Sequence, residues 1–152
     1  MATQLIATHR VNAEIYHGED LCKQKSLELL DEICLPNGLL PLDQITEVGY
    51  NRSTGFVWLK TGKKKEHRFE AIRRTVSYES EVTAFVEKHR MRMVTGVKSK
   101  ELFFWITISD IFIDENDSAK ICFGNPSGIS RSFPVSAFQL QDEEQEKKDG
   151  DQ

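Results

Sequence analysis

Four histidines, His9, His17, His67 and His89, and three cysteines, Cys22, Cys34 and Cys122, are the side chains of this 152-residue chain best suited to metal or nucleophilic chemistry. A shared ion needs ligands on one helix face or in a close pair, and no His stands four residues from another His or Cys. Cys22 and Cys34 are three helical turns apart and no C-x-x-C occurs, so neither a metal nor a cofactor is expected. Three unpaired cysteines suit reduced thiols. Gly124-Asn125-Pro126-Ser127-Gly128 is one residue away from the G-x-S-x-G nucleophile elbow. Proline sits where the nucleophile must be, and Asn-Pro-Ser-Gly makes a plain β-turn. Neither phosphate-loop pattern is present. No catalytic residue is assigned, and the chain reads as a binding protein more readily than as an enzyme.

Charge is the more suggestive feature. The net charge is −4, yet residues 60–100 hold twelve Lys/Arg against five Glu. Lys63, Lys64, Lys65, Arg68, Arg73, Arg74, Arg90 and Arg92 would form a cationic surface if strands brought them together. Such a surface attracts an anionic membrane by about 1 kcal/mol per residue. The same residues have plainer uses: lysines at a loop tip keep it soluble, and arginine on an exposed strand guards a sheet edge. Nucleic acid is not an expected partner, because no aromatic RNA-binding motif, zinc finger or recognition helix accompanies the charge. The rings offer a second handle. Phe56, Trp58, Phe69, Phe85, Phe103, Phe104, Trp105, Phe112, Phe123, Phe133 and Phe138 are many for one small domain. Most must fill the core; sheets that splay would let some line a cavity for a hydrophobic small molecule.

The elements that position these residues follow from periodicity. Cys22, Ser26, Leu29, Leu30 and Ile33 form one helical stripe, which predicts an amphipathic helix over Glu19–Cys34. Glu19 and Asp20 complement its dipole, and Pro36 with Asn37-Gly38 ends it. Before it, Val11 and Ile15 at i, i+4 could start a short helix that Gly18 interrupts. From Ile45 the pattern turns to period two. A hairpin is expected around Asn51-Arg52-Ser53-Thr54, with further strands at Glu66–Ile72, Thr75–Tyr78, Val82–Val86, Ala119–Phe123 and Ile129–Val135. The longest apolar run, Leu102–Ile113, is β-branched and aromatic and reads as a central core strand. Its apolar phase slips at Ser109-Asp110, which calls for a bulge or a strand shared between sheets.

Short strands at 8–12 residue spacing after one helix define a mainly β, α+β class: an antiparallel β sandwich or barrel-like domain with one N-terminal amphipathic helix. The expected division is a partly ordered segment 1–18, one globular domain 19–139 and a disordered acidic tail 140–152. Hydrophobic and charged contents of 39% and 29% suit a folded soluble domain. No apolar run is long enough to span a bilayer, and the first ten residues lack the apolar core of a secretory signal, so a cytoplasmic location is expected.

Several stretches share a resemblance. Leu35-Pro36-Asn37-Gly38-Leu39-Leu40-Pro41, Gly55-Phe56-Val57-Trp58-Leu59, Gly96-Val97-Lys98-Ser99-Lys100-Glu101-Leu102 and Arg131-Ser132-Phe133-Pro134-Val135-Ser136-Ala137-Phe138 occur in order. Together, over about residues 10–138, they resemble the plant domain-of-unknown-function family numbered 538. The resemblance implies a plant protein with a compact antiparallel β domain and an N-terminal helix. It also implies a likeness to bactericidal/permeability-increasing proteins, hence lipid binding, and links to chlorophyll binding or breakdown and to stress responses. Many members carry a secretory signal, which this chain does not show. The leading expectation is a non-enzymatic binding domain for a lipid or other hydrophobic ligand, at an anionic membrane surface. The alternatives are an ester hydrolase acting on chlorophyll or lipid, and a protein-interaction module.

Overall fold

Period-two patterning from Ile45 onward builds a sheet in which every strand pair is antiparallel. The computed structural model describes residues 2–140. Two helices precede or interrupt the strands: α1 (Ala2–His9) and α2 (Glu19–Glu32), with β1 (Glu14–His17) between them. Then follow β2 (Ile45–Asn51), β3 (Phe56–Thr61), β4 (Lys65–Phe69), β5 (Arg74–Glu87) and β6 (Arg90–Glu101). The last strands are β7 (Phe104–Thr107), β8 (Asp110–Asp114), β9 (Asp117–Gly124) and β10 (Ser130–Pro134), ending in a short 3-10 helix at Val135–Phe138. The strand order is β1-β2-β3-β5-β6-β8-β9-β10, with β4 added to β5 and β7 added to β6. The antiparallel β class is as expected; the path does not close on itself.

The expectation of a single helix fails at the N-terminus. Val11 and Ile15 start no helix: Ile15 lies in β1 opposite Gly49, and the helix is α1, which buries Ile6 against Phe56 and Trp58. Eight residues with one buried position leave too little periodicity to read. α1 and α2 cover opposite faces of the sheet. Phe56 and Trp58 point toward α1, while Val57 and Leu59 point into the clusters beneath α2, so β3 is buried on both sides. The acidic run from residue 141 lies outside the described residues.

β5 and β6 are longer than the sheet around them, and the ribbon they form bends. Tyr78 pairs with Val97 but Thr83 pairs with Thr95, so residues 79–82 of β5 stand against Gly96 alone. Gly96 has φ +83°, and a Cβ there would sit 2.6 Å from the Glu81 carbonyl oxygen. On the far side of β6, Ile108 donates to the Val97 carbonyl (3.0 Å) whereas Asp110 pairs with Arg92. Met93–Gly96 therefore bulge opposite Ser109, with Met93 at φ 50°. The phase slip at Ser109-Asp110 is thus a β7-to-β8 break alongside a bulged partner.

The reading of Leu102–Ile113 as one core strand needs correction. β6 ends at Glu101, Leu102 and Phe103 make the hairpin turn, and β7 is an edge strand paired only with β6. Leu102 is 87% and Phe103 93% exposed. Only Ile108 and Ile111 of the run are buried in the core. The run does form strands, β7 and β8, but tertiary placement puts its most apolar part on the outside.

The helix stop after α2 is more specific than a proline. Leu35 N–H donates to the Leu30 carbonyl (2.9 Å) and Cys34 N–H to that of Asp31 (3.1 Å), with Cys34 at φ 60°. This is a Schellman closure in which cysteine holds the left-handed position that glycine favours. Leu30 and Leu35 are both buried in the main cluster. The following loop is clipped to the other end of the domain. Gly38 N–H donates to the Phe138 carbonyl (2.7 Å), and Leu140 N–H to Asn37 Oδ1 (2.7 Å).

Two substitutions test these backbone assignments. Cys34→Gly should raise the thermal midpoint, by removing left-handed strain of about 1 kcal/mol from an exposed site. Gly96→Ala should lower stability by about 2–4 kcal/mol in denaturant titration, because a carbonyl oxygen cannot move aside as a side chain would.

Candidate functional site

The eight cations singled out by sequence do not gather in one place. Lys63, Lys64 and Lys65 lie at the β3–β4 turn and the start of β4, Arg68 on β4, and Arg73 and Arg74 at the entry to β5. Arg90 and Arg92 begin β6, opposite the other end of β5. Most face an acid. Lys64 meets Glu79 at 4.0 Å, Arg68 meets Glu70 at 3.3 Å, and Arg92 meets Glu87 at 2.7 Å. Arg74 pairs with Glu101, Lys65 donates to the Asp43 carbonyl, and Arg90 clasps Asp110 while lying 5.1 Å from the Phe112 ring centroid.

The residues with chemical potential are engaged locally. His9 stacks on Phe56 at 4.3 Å and shares a hydrogen bond with Thr54 (3.2 Å). His67 packs edge-on against Phe69, and the His89 backbone amide donates to the Ile33 carbonyl (2.6 Å). Ser127 Oγ donates to Asn125 Oδ1 (2.8 Å), which also accepts from the Ser127 and Ile129 amides, so this segment is a side-chain-capped turn. Cys22 and Cys122 are buried, which pushes both thiols up. Among the described residues, no group of three His, Cys, Asp or Glu is placed to hold a metal ion.

Sequence reasoning missed Glu47, the most perturbed carboxylate. Its oxygens accept from Arg10 (2.8 Å), Trp58 Nε1 (2.8 Å) and His17 Nε2 (2.8 Å), with Lys60 Nζ at 3.7 Å. These hydrogen bonds, Arg10's first, outweigh burial and hold the carboxyl at about 2, against 4.5 ordinarily. Glu47 joins the β1 edge and the α1–β1 turn to the sheet. Asn51 does similar work, donating to the carbonyls of His9 (3.1 Å) and Val11 (3.2 Å). A bulge at Thr46 puts Glu47 on the α1 face, and α1 itself was not foreseen. The one available signal was an acid inside a period-two apolar run.

Among the described residues, two apolar cavities bear on function. One of about 250 Å³ lies beneath α2, and charged pairs rim it: Lys25 with Glu28, and Arg52 with both Glu14 and Glu32. The other, about 340 Å³, is the crook of the bent ribbon. One wall is Val76, Phe104, Ile106 and Ile108; the facing wall is Phe123, Ile129 and Phe133, with Phe138 behind. A three-residue clasp crosses its mouth. Glu101 on β6 binds Arg74 on β5 and, at 2.8 Å, Arg131 on β10. The Arg74 guanidinium also lies 5.8 Å from the Phe133 ring. Two guanidiniums on one carboxylate leave the mouth positive. Phe104 and Ile129, 60% and 64% exposed, form apolar lips. Arg74 was singled out by sequence; Arg131 and Glu101 were not, since their meeting depends on the bend.

An antiparallel β domain with an apolar cleft and a charged clasp is the class that fold and site define. The chain belongs to the family described as "Protein of unknown function, DUF538", whose model matches residues 26–139. No curated protein and no solved structure matched the chain.

Glu47 makes stability depend on pH. A depressed carboxyl stabilises the fold above its unfolded value and loses that contribution as pH falls from about 4.5 toward about 2. Urea titrations over that range should show the unfolding free energy dropping by roughly 3 kcal/mol more in the wild type than in Glu47→Gln.

Proposed function

We propose that this chain is a non-enzymatic binding domain for a lipid or other hydrophobic ligand, held in the cleft between the bent β5–β6 ribbon and the β9–β10 hairpin. The observation that carries the reading is the cleft's size and lining. Its volume of about 340 Å³ falls in the range of small-molecule sites, and its walls are apolar with a few convergent polar groups. Packed cores hold few voids larger than a water molecule, so this space exceeds a packing irregularity. Arg131 is half exposed above the apolar walls, where an acidic head group would meet it while a hydrocarbon tail enters. The lipid association implied by the family resemblance agrees with this chemistry.

Titration with a solvatochromic apolar dye, with native mass spectrometry for co-purifying ligands, tests the site. Ile106→Trp fills the cleft and should weaken dye binding at least about tenfold, whereas Leu29→Trp, in the cavity beneath α2, should leave it unchanged. Equal affinity in wild type and Ile106→Trp, or loss only in Leu29→Trp, would sink the assignment.

A further inference from the structure

The β6–β7 hairpin carries an apolar tip that the fold does not use. Leu102, Phe103 and Phe104 are 87%, 93% and 60% exposed and consecutive, and Trp105 follows at 37%. Leu102 and Phe103 form the turn and do not line the cleft. An exposed run of this kind marks an interaction site, because scattered surface apolar residues do not cluster so. Its surroundings say what kind. The register sets Lys100 opposite Trp105 and Lys98 opposite Thr107, so two lysines and the indole share the hairpin's outer face. Lys100 Nζ lies 5.8 Å from the Trp105 ring centroid. The nearest acid on the hairpin, Glu101, is already bound by Arg74 and Arg131. A projecting apolar tip, a tryptophan one step behind it and, behind that, lysines with no ion pair among the described residues are the depth order of a bilayer interface: acyl chains, carbonyl region, anionic head groups.

We infer that the Leu102–Trp105 hairpin docks the protein on an anionic phospholipid surface. Leu102 and Phe103 insert, Trp105 sits at head-group level, and Lys98 and Lys100 meet the phosphates. Phe104 is both part of this tip and a lip of the cleft, so docking sets the cleft mouth against the membrane. The docking does not require the cleft to be occupied.

The full chain can be tested with phosphatidylcholine vesicles made with and without phosphatidylserine. The protein has two tryptophans, and Trp58 is 2% exposed, so vesicle-dependent changes in emission report Trp105. Expected results are a blue shift and quenching by lipids brominated on the acyl chain, strongest with phosphatidylserine and weakened by salt. Leu102→Ser with Phe103→Ser should reduce partitioning about 100-fold. Lys98→Gln with Lys100→Gln should remove the preference for phosphatidylserine. All four positions are exposed, and circular dichroism checks that the variants fold. Dye affinity without vesicles should be unchanged in the Leu102/Phe103 variant, which separates failure of docking from failure of the cleft. Absence of quenching overturns the inference, as does unchanged partitioning in that variant. Self-association abolished by the same two substitutions would show instead that the tip binds a second copy.

Discussion

The structure depends on the bend in the β5–β6 ribbon. A two-stranded ribbon twists steeply, and β5, at 14 residues, would run on well beyond the neighbours that cover it. Gly96 lets four residues of β5 pass one of β6, and the ribbon divides into two arms. One arm pairs with β3 and β8 and carries the rest of the main sheet; the other takes β4 and β7 as short flanks. The second arm is thereby turned toward β9 and β10, and the cleft is the space between. Glu101 and Arg131 clasp across that space, so the bend is held by charge as well as by glycine.

The two helices then settle which sheet faces are wet. With α1 on one side and α2 on the other, β2 and β3 lose solvent on both faces, and every polar group there needs a partner. Glu47 and Asn51 are two such groups, and both draw partners from the N-terminal segment, Glu47 also from Trp58 on β3. The second arm has no such cover. That asymmetry explains why its apolar residues remain exposed while equally apolar residues of β3 do not.

Much of the local structure was legible in the sequence. The stripe of Cys22, Ser26 and Leu30 located α2, and Ile45–Lys60 located the first hairpin with its loop. The phase slip at Ser109-Asp110 marked a real discontinuity. What could not be read were relations between distant segments. Period-two patterning says that a residue faces something, not whether the facing layer is a helix, another arm or water. Leu102–Trp105 has the composition of a core strand, and only its position at an edge of the shorter arm exposes it. The cations of one basic stretch separated to the two ends of β5, whereas Arg74, Glu101 and Arg131, on three different strands, met. No periodicity encodes such a meeting.

The clip between the loop after α2 and the end of the domain bears on how the chain is made. Asn37 and Leu140 are 103 residues apart, and Gly38 is tied to Phe138 beside them. Phe138 also lies among Phe69, Phe123 and Phe133 at the centre of the main cluster. Synthesis proceeds from the N-terminus, so the helices and most strands leave the ribosome before this ring exists to seal them. Contacts of such long separation close late and slowly. The nascent domain therefore waits with its interior open until Phe138 and Leu140 emerge, and this step follows the synthesis of all ten strands.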